Sequence, residues 1–436
     1  MKGLANTMWI QMTRFVFILL CFANFSSSLQ ARVYVPEVPS NPNFLDFYLL
    51  TTEPGNMVAD RFGHTAIRVV NKQNNTDIIY NWGLYDFSSP TFLYDFFRGH
   101  LKYTLGLASM NRHLEIYRIQ QRKMWQENLN LTNKQKIQLM KIIAHNSQAE
   151  NRTFMYDYWF KNCSTIPRDH IDQVVNHRLK DKYSAQIAEV NFRYFVRKYL
   201  EYFPIIPAAL EIVMTDRIDP KISYWEEMFL PMALRKHLLS MPAIDDQGRE
   251  IAGRFLLENT QVLLDFPEHR SPYPGDFWVF AAVFLLMTLV LVWLFSTKRP
   301  IAHKFLGAML FGWGAVAGTM GIIILIGWFA TEHKDLENNA NLLLYFGGLD
   351  FYFMYCGWKL FRAEGLAQFR YMQKSRMFEL GLKVHFVLAV IALLLYVTGF
   401  VVQDLSLTVS FTMFPLLVFT YFYYRYSSEL LGDKRS

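Results

Sequence analysis

Cysteine is scarce in this chain: three in 436 residues, too few for a disulfide framework. Charge is also thin, at 19% of residues, against roughly 25% in ordinary soluble proteins. With 52% hydrophobic and 17% aromatic residues, this excludes a disordered, collagen-like or coiled-coil chain and argues against a single soluble globule. HExxH, CxxC, GxxxxGKS and Gly-x-Ser-x-Gly patterns are absent. Their absence argues against common zinc, phosphate-loop and α/β-hydrolase chemistry. No metal and no cofactor is expected. Internal repeats and low-complexity tracts are missing too.

The apolar residues that are present are unevenly placed. Residues 32–270 are polar and mixed in charge, whereas five apolar runs follow at 277–295, 305–330, 342–361, 384–402 and 405–424. Each is about the roughly 20 residues that cross a bilayer core. Lys298, Arg299 and Lys304 follow the first run, and Arg362, Arg370, Lys374, Arg376 and Lys383 lie between the third and fourth. The alternate loops hold only Lys334. The positive-inside rule puts the basic loops, and the tail 425–436 with Arg425, Lys434 and Arg435, in the cytoplasm. Residues 32–270 are then extracytoplasmic. Much of the net charge of +7 reflects topology, and nucleic acid is not an expected partner. At the start, Lys2 and Arg14 precede an apolar run at 15–25 and small residues at 26–28. Residues 1–31 therefore read as a signal peptide or an N-terminal anchor.

Within 32–270 the pattern is α+β with an antiparallel sheet. Strands are expected at 47–51, 63–70 and 77–83, the last two forming a hairpin around the turn cluster 71–76. A second β pair is expected at 103–107 and 114–119. Helix starts are expected at Thr132 with Gln135 as a capping box, at Ser164 or Thr165 with Pro167 in the first turn, and at Ser223 with Glu226. Pro267, Pro272 and Pro274 mark the linker to the membrane.

Cys163 is the lone cysteine of 32–270, and an unpaired thiol in an oxidising compartment is a liability unless it is used. Its place at a helix start favours the thiolate; a buried structural cysteine is the alternative. A base is needed, and His64, His100, His113, His145, His170, His177, His237 and His269 are available. His64 stands out because it opens a strand after Gly63. If the hairpin turns near Gln73, His64 lies opposite Trp82, give or take one, and Asn81 or Asp86 is the third group. The stretch 80–103 is dense in aromatics, with Arg98 and Lys102 at its end. It reads either as core or as a surface that dips into lipid.

These residues together resemble a known family. Phe62-Gly63-His64-Thr65, Tyr80-Asn81-Trp82-Gly83 with Asp86-Phe87, and Phe97-Arg98-Gly99 come first. Tyr156-Asp157-Tyr158, Asn162-Cys163-Ser164-Thr165, Arg168-Asp169 and Phe229-Leu230-Pro231 follow. The pattern is similar to that of the Bacteroides-type lipoprotein N-acyltransferases, and Asn338, Asn339 and Asn341 resemble that family's Asn-rich loop. The resemblance implies a permuted papain-like (NlpC/P60-like) fold with His before Cys, as in thiol enzymes similar to lecithin–retinol acyltransferase. It implies acyl transfer from a membrane phospholipid, through a Cys163 thioester, to the N-terminal cysteine of a diacylated lipoprotein. Cys163 and His64 are the expected catalytic pair, with Asn81 or Asp86 as the third residue. Tyr80, Trp82, Phe96, Phe97, Arg98, Asn162 and Arg168 are the expected substrate contacts. A papain-like cell-wall peptidase or amidase, a phospholipase and a non-enzymatic binding module are the alternatives.

Overall fold

The computed structural model describes residues 34–85, 91–201, 206–269, 276–296, 301–345, 347–362 and 376–432. The expected signal or anchor segment 1–31, Asp86, Phe87, Pro272 and Pro274 lie outside them. The N-terminal part is built on an antiparallel seven-stranded sheet in the order β6-β4-β3-β2-β1-β5-β9. Its strands are β1 (Leu45–Thr52), β2 (His64–Asn71), β3 (Thr76–Tyr85), β4 (Lys102–Ala108), β5 (Met124–Leu129), β6 (Thr153–Met155) and β9 (Leu257–Leu264). A separate pair joins β7 (Pro242–Ile244) and β8 (Glu250–Phe255). The helices in this part are α1 (Phe92–Arg98), α2 (Met110–Ile119), α3 (Asn133–Ser147), α4 (Thr165–Val174), α5 (Arg178–Ser184), α6 (Phe192–Leu200), α7 (Ile206–Val213), α8 (Tyr224–Glu227) and α9 (Pro231–Ser240).

Strand alternation divides the sheet's faces. Leu45, Phe47, Leu49, Ile67, Val69, Tyr80 and Trp82 enter the main core with Leu139 and Ile143 of α3, Ile171 of α4 and Leu234 of α9. Leu50, Ala66 and Ile79 face the other way, against Met110. The central hairpin forms as expected, with Asn71 paired to Thr76 and Ile67 to Tyr80. The expected strand at 114–119 is instead the second half of α2. Ser109 caps that helix through Arg112 N, and His113 and Tyr117 are buried one turn apart. The polar-apolar alternation of LEIYRI fits both periods over so few residues. Both capping boxes form, at Thr132 with Gln135 and at Ser223 with Glu226. The helix from Ser223 stops after one turn, however, and α9 restarts at Pro231, whose ring suits the first helical position.

The C-terminal part contains α10 (Asp276–Ser296), α11 (Ala302–Ala330), α12 (Gly348–Phe361), α13 (Arg376–Val397) and α14 (Ser406–Gly432). Among the described residues, three segments are long and apolar enough to cross a membrane: Ala302–Ala330, Met377–Val397 and Ser406–Tyr424. The expected third span differs from its forecast. The start of 342–361 falls in a short 3-10 turn, Ala340–Leu343, and α12 has only 14 residues, about 21 Å at 1.5 Å per residue. The last helix runs past Tyr424, through part of what the sequence reads as a tail.

Both loops that the charge pattern places outside touch the N-terminal part. Asn339 Nδ2 donates to the carbonyls of Ile212 and Val213 at 3.0 and 2.7 Å, and Asn341 Nδ2 to those of Glu211 and Ile212 at 3.2 and 2.9 Å. Gln403 Nε2 donates to Met214 O at 3.1 Å. The open C-terminal carbonyls of α7 are thus capped by side chains of the membrane region. Arg197 bridges Glu211 of α7 and Asp404.

Helices α11 and α12 meet backbone to backbone. A Cβ on Gly314 would stand 2.5 Å from Met354 N and 2.6 Å from Asp350 O, and the approach at Gly307 and Gly357 is as tight. Small residues at such a seam let membrane helices pack closely. Gly314→Val is expected to cost about 1–3 kcal/mol by forcing the helices apart. The thermal unfolding midpoint of the detergent-solubilised chain checks this; an unchanged midpoint would show that the seam tolerates a wider spacing.

Candidate active site

His64 opens β2, following Gly63 at φ +81°. The β2–β3 ladder stops at Ile67–Tyr80, and the β3–β4 register shifts between Asn81 and Leu84. Continuing the hairpin register would set His64 opposite Gly83, one residue from the expected Trp82. Asn81 still pairs with Gly106 of β4, and the bulge leaves Trp82 and Gly83 outside regular pairing on both sides, a common device beside functional sites. His64 Nε2 donates to Asn81 Oδ1 at 2.8 Å. Because an amide oxygen only accepts, Nε2 carries the proton and Nδ1 keeps its lone pair.

Cys163 reaches the same place from the other side of the chain. A Cβ on Gly83 would stand 2.8 Å from His64 Cε1, 3.1 Å from Asn81 Oδ1 and 3.5 Å from Cys163 Cβ. The three side chains therefore converge around a glycine that has no room for a side chain of its own. The turn into α4 is held by Asn162, which is buried. Its Oδ1 accepts from Ser164 N and Thr165 N at 2.8 and 2.9 Å, and its Nδ2 donates to Tyr158 O and Phe229 O at 2.9 and 3.1 Å. The cap of α4 is thus Asn162, because the Ser164 hydroxyl donates to Met228 O instead.

Burial dominates the electrostatics. It pushes the Cys163 thiol up to about 11, against lowering contributions from the backbone N–H of Thr65, the charge of Arg122 and the N–H of Cys163 itself. The expected helix-terminus effect is outweighed, even though the thiol keeps a partly exposed edge. Burial also pulls His64 down to about 3, helped by Arg122 and His113 and opposed by the Asn81 hydrogen bond. Thiol and imidazole are therefore both neutral at pH 7 in the resting site. Behind His64 lies Tyr117, stacked on it at 6.3 Å and carrying the Arg122 guanidinium 5.0 Å over its ring. Beside Cys163 stand Tyr103 and Tyr156, stacked at 4.0 Å, with Tyr85 edge-on to Tyr103. Tyr117 and Arg122 escaped the sequence reading because nothing in their spacing sets them apart from core residues.

The expected substrate contacts divide. Tyr80 and Trp82 are core residues, each 1% exposed, and Trp82 packs edge-on to His170. Asn162 is occupied as a cap. Arg168 is buried, stacked 3.8 Å over Trp225 and hydrogen-bonded to Trp225 O and Asp169. These four are buried and support the fold. Phe96 and Phe97 are 47% and 49% exposed on α1. Arg98 pairs with Glu332, which offsets its charge. Of the other histidines, His113 and His237 are buried and His100 pairs with Glu332. Asp86 lies outside the described residues, so Asn81 is the partner of His64 that the geometry displays.

Residues 39–201, the segment that carries His64, Asn81 and Cys163, match the family model of the Lnb N-terminal periplasmic domain. Over that segment the chain is similar to Lnb-type proteins. With the three candidate spans, it is a membrane protein with a periplasmic domain. No curated protein and no solved structure matches the chain.

The neutral pair has a measurable signature in the Lnb-type domain. With Cys21→Ser and Cys356→Ala leaving Cys163 as the lone cysteine, iodoacetamide labelling is expected to keep accelerating to about pH 10, roughly tenfold per pH unit. A plateau from about pH 6 would instead reveal a preformed thiolate–imidazolium pair.

Proposed function

We propose that this chain is a lipoprotein N-acyltransferase of the bacterial inner membrane, moving an acyl chain from a phospholipid to the N-terminal cysteine of a diacylated lipoprotein. The observation that carries this reading is the convergence of Cys163, His64 and Asn81 at Gly83 in an Lnb-type domain docked on membrane-spanning helices. In this reading the domain at 32–270 has a permuted papain-like (NlpC/P60-like) fold, with the base preceding the nucleophile in the chain. Residues 1–31 are its signal or anchor. The helical region at 277–424 crosses the bilayer five times, with the C-terminal tail in the cytoplasm.

The reaction proceeds by nucleophilic catalysis. The Cys163 thiol gives its proton to His64 Nδ1 as sulfur attacks the ester carbonyl of the phospholipid. The N–H groups of Cys163 and Thr65, which already point at the sulfur, are the donors for the oxyanion. Those of Ser164 and Thr165 are spent on Asn162. Collapse breaks the ester C–O bond, and the lysophospholipid oxygen takes the proton back from His64. The lipoprotein's α-amine then attacks the thioester, passing a proton to His64, and the amide forms as sulfur departs and is reprotonated. Asn81 holds the imidazole in its tautomer throughout.

Aminolysis outruns hydrolysis only where water is kept out, and the stacked pair Tyr103 and Tyr156, within electrostatic reach of the thiol, supports that exclusion. Helix α1 supports lipid access. Its exposed Tyr94, Phe96 and Phe97 sit on a segment tied to Glu332 and His333, two and three residues past the end of α11. They sit beside the end of a membrane-length helix, which this reading takes as its outer end, where aromatic side chains suit the lipid interface. A cell-wall peptidase would need the same Cys–His pair but would leave this placement unexplained.

Cys163→Ser and His64→Ala are each expected to leave the acceptor lipoprotein diacylated, as read by mass spectrometry of its N-terminal peptide from cells that depend on this chain. Near-normal N-acylation by Cys163→Ser would overturn the nucleophile assignment. For lipid access, Phe96→Ser together with Phe97→Ser is expected to lower turnover of bilayer phospholipid about tenfold, with a smaller loss on a short soluble ester. Equal losses with a lowered melting midpoint would make these rings structural.

A further inference from the structure

The turn that carries the nucleophile is braced from outside its own domain. Asp335 belongs to the loop between α11 and α12 and is 8% exposed. Its Oδ2 accepts from Trp159 Nε1 at 3.1 Å, and its Oδ1 accepts from Arg217 Nη1 at 2.8 Å. Arg217 Nη2 donates to Asp157 Oδ2 at 2.8 Å. Asp157 Oδ1 in turn accepts the backbone N–H groups of Trp159 and Phe160 at 3.0 and 3.1 Å, and its main chain exchanges two hydrogen bonds with Lys161. Residues 157–161 are thereby closed into a tight turn, and the next two residues are Asn162 and Cys163. The Trp159 ring packs edge-on to Phe229, whose carbonyl receives Asn162 Nδ2.

His64 is held differently. The contacts described for it come from Asn81, from β1 and from Tyr117, all within the N-terminal part. The nucleophile and its base are therefore supported by different parts of the chain, and one of those supports arrives from the membrane region.

We propose that Asp335 is a positioning residue for Cys163: its carboxylate, through Trp159 and through Arg217 and Asp157, sets where the thiol stands relative to His64. The site is then complete only with the α11–α12 loop seated on the domain. The inference deepens the acyl-transfer reading and rests on it for turnover, but the placement of the thiol can be read without it. Asp335→Asn keeps one acceptor oxygen and turns the other into an NH2 donor, so either the buried Trp159 N–H or Arg217 Nη1 loses its acceptor, and the turn is free to relax.

The test uses the full-length protein in proteoliposomes, with Cys163 as the lone cysteine. Asp335→Asn, Trp159→Phe and the exposed-neighbour control Lys334→Ala are compared by phospholipid turnover, by the pH profile of iodoacetamide labelling and by melting midpoint. Trp159→Phe keeps an aromatic ring in the core, so it isolates the N–H. Asp335→Asn and Trp159→Phe are expected to lower kcat about tenfold or more with little change in KM for the phospholipid, as a displaced reacting group does. Both should shift the labelling profile, and Lys334→Ala should not. A wild-type labelling profile and kcat in Asp335→Asn would overturn the inference, as would losses that merely follow a lowered melting midpoint. If the labelling shifts while the parent protein transfers no acyl chain, the positioning stands and the acyl-transfer reading falls.

Discussion

Four backbone groups around the start of α4 depend on one buried side chain. Asn162 accepts from two N–H groups and donates to two carbonyls, and no other described side chain meets those needs. An unpaired backbone group in a buried place costs about 1–3 kcal/mol, so this amide decides whether the turn before α4 exists at all. The place of the nucleophile follows from it. Cys163 is presented toward the sheet because the residue before it is pinned. The bulge at Asn81–Gly83 opens the space that the thiol approaches, and the missing side chain of Gly83 keeps that space open. His64 and Asn81 share a face because residues 64 and 66 of β2 and 79 and 81 of β3 point the same way.

Electrically, the site is at rest as two neutral groups, with burial working against charge on both. A neutral thiol is a poor target for oxidants, which act on the thiolate. In the proposed reaction the proton moves only when a carbonyl is in place to accept the sulfur. Arg122 has opposite effects on the two partners, disfavouring the imidazolium and favouring the thiolate. Its guanidinium is 2% exposed, with Nε on Glu53 O and Nη1 on Gln120. Such a charge tunes both members of the pair without touching either.

The parts of this molecule that obey local rules were legible in the sequence. The hairpin around residues 72–75, both capping boxes and the apolar character of the C-terminal region all follow from short-range patterns, and so does the placing of His64 at a strand start and Cys163 beside a helix start. The parts set by long-range contacts were hidden. LEIYRI reads as strand or helix until Ser109 is known to cap it. Tyr80 and Trp82 look like a lipid-facing surface until the direction of the pleat is fixed, because a shift of one residue reverses the face. The thiol's pKa depends on how much protein surrounds the helix start, which spacing does not reveal. The shortened α12 was invisible for a related reason: residues 342–345 are as apolar as a span, but they fold over the end of α7.

The capping of α7 has a consequence for the order of events in synthesis. Its last carbonyls find their donors in Asn339, Asn341 and Gln403, more than a hundred residues further along the chain. When the N-terminal part first leaves the translocation machinery, those donors have not yet been made. The helix end lacks these partners until the later hydrophobic segments have been made and the loops with Asn339, Asn341 and Gln403 fold back over it. Maturation of the domain therefore tracks integration of the whole polypeptide, and a chain truncated before Gln403 would be left with an unfinished helix.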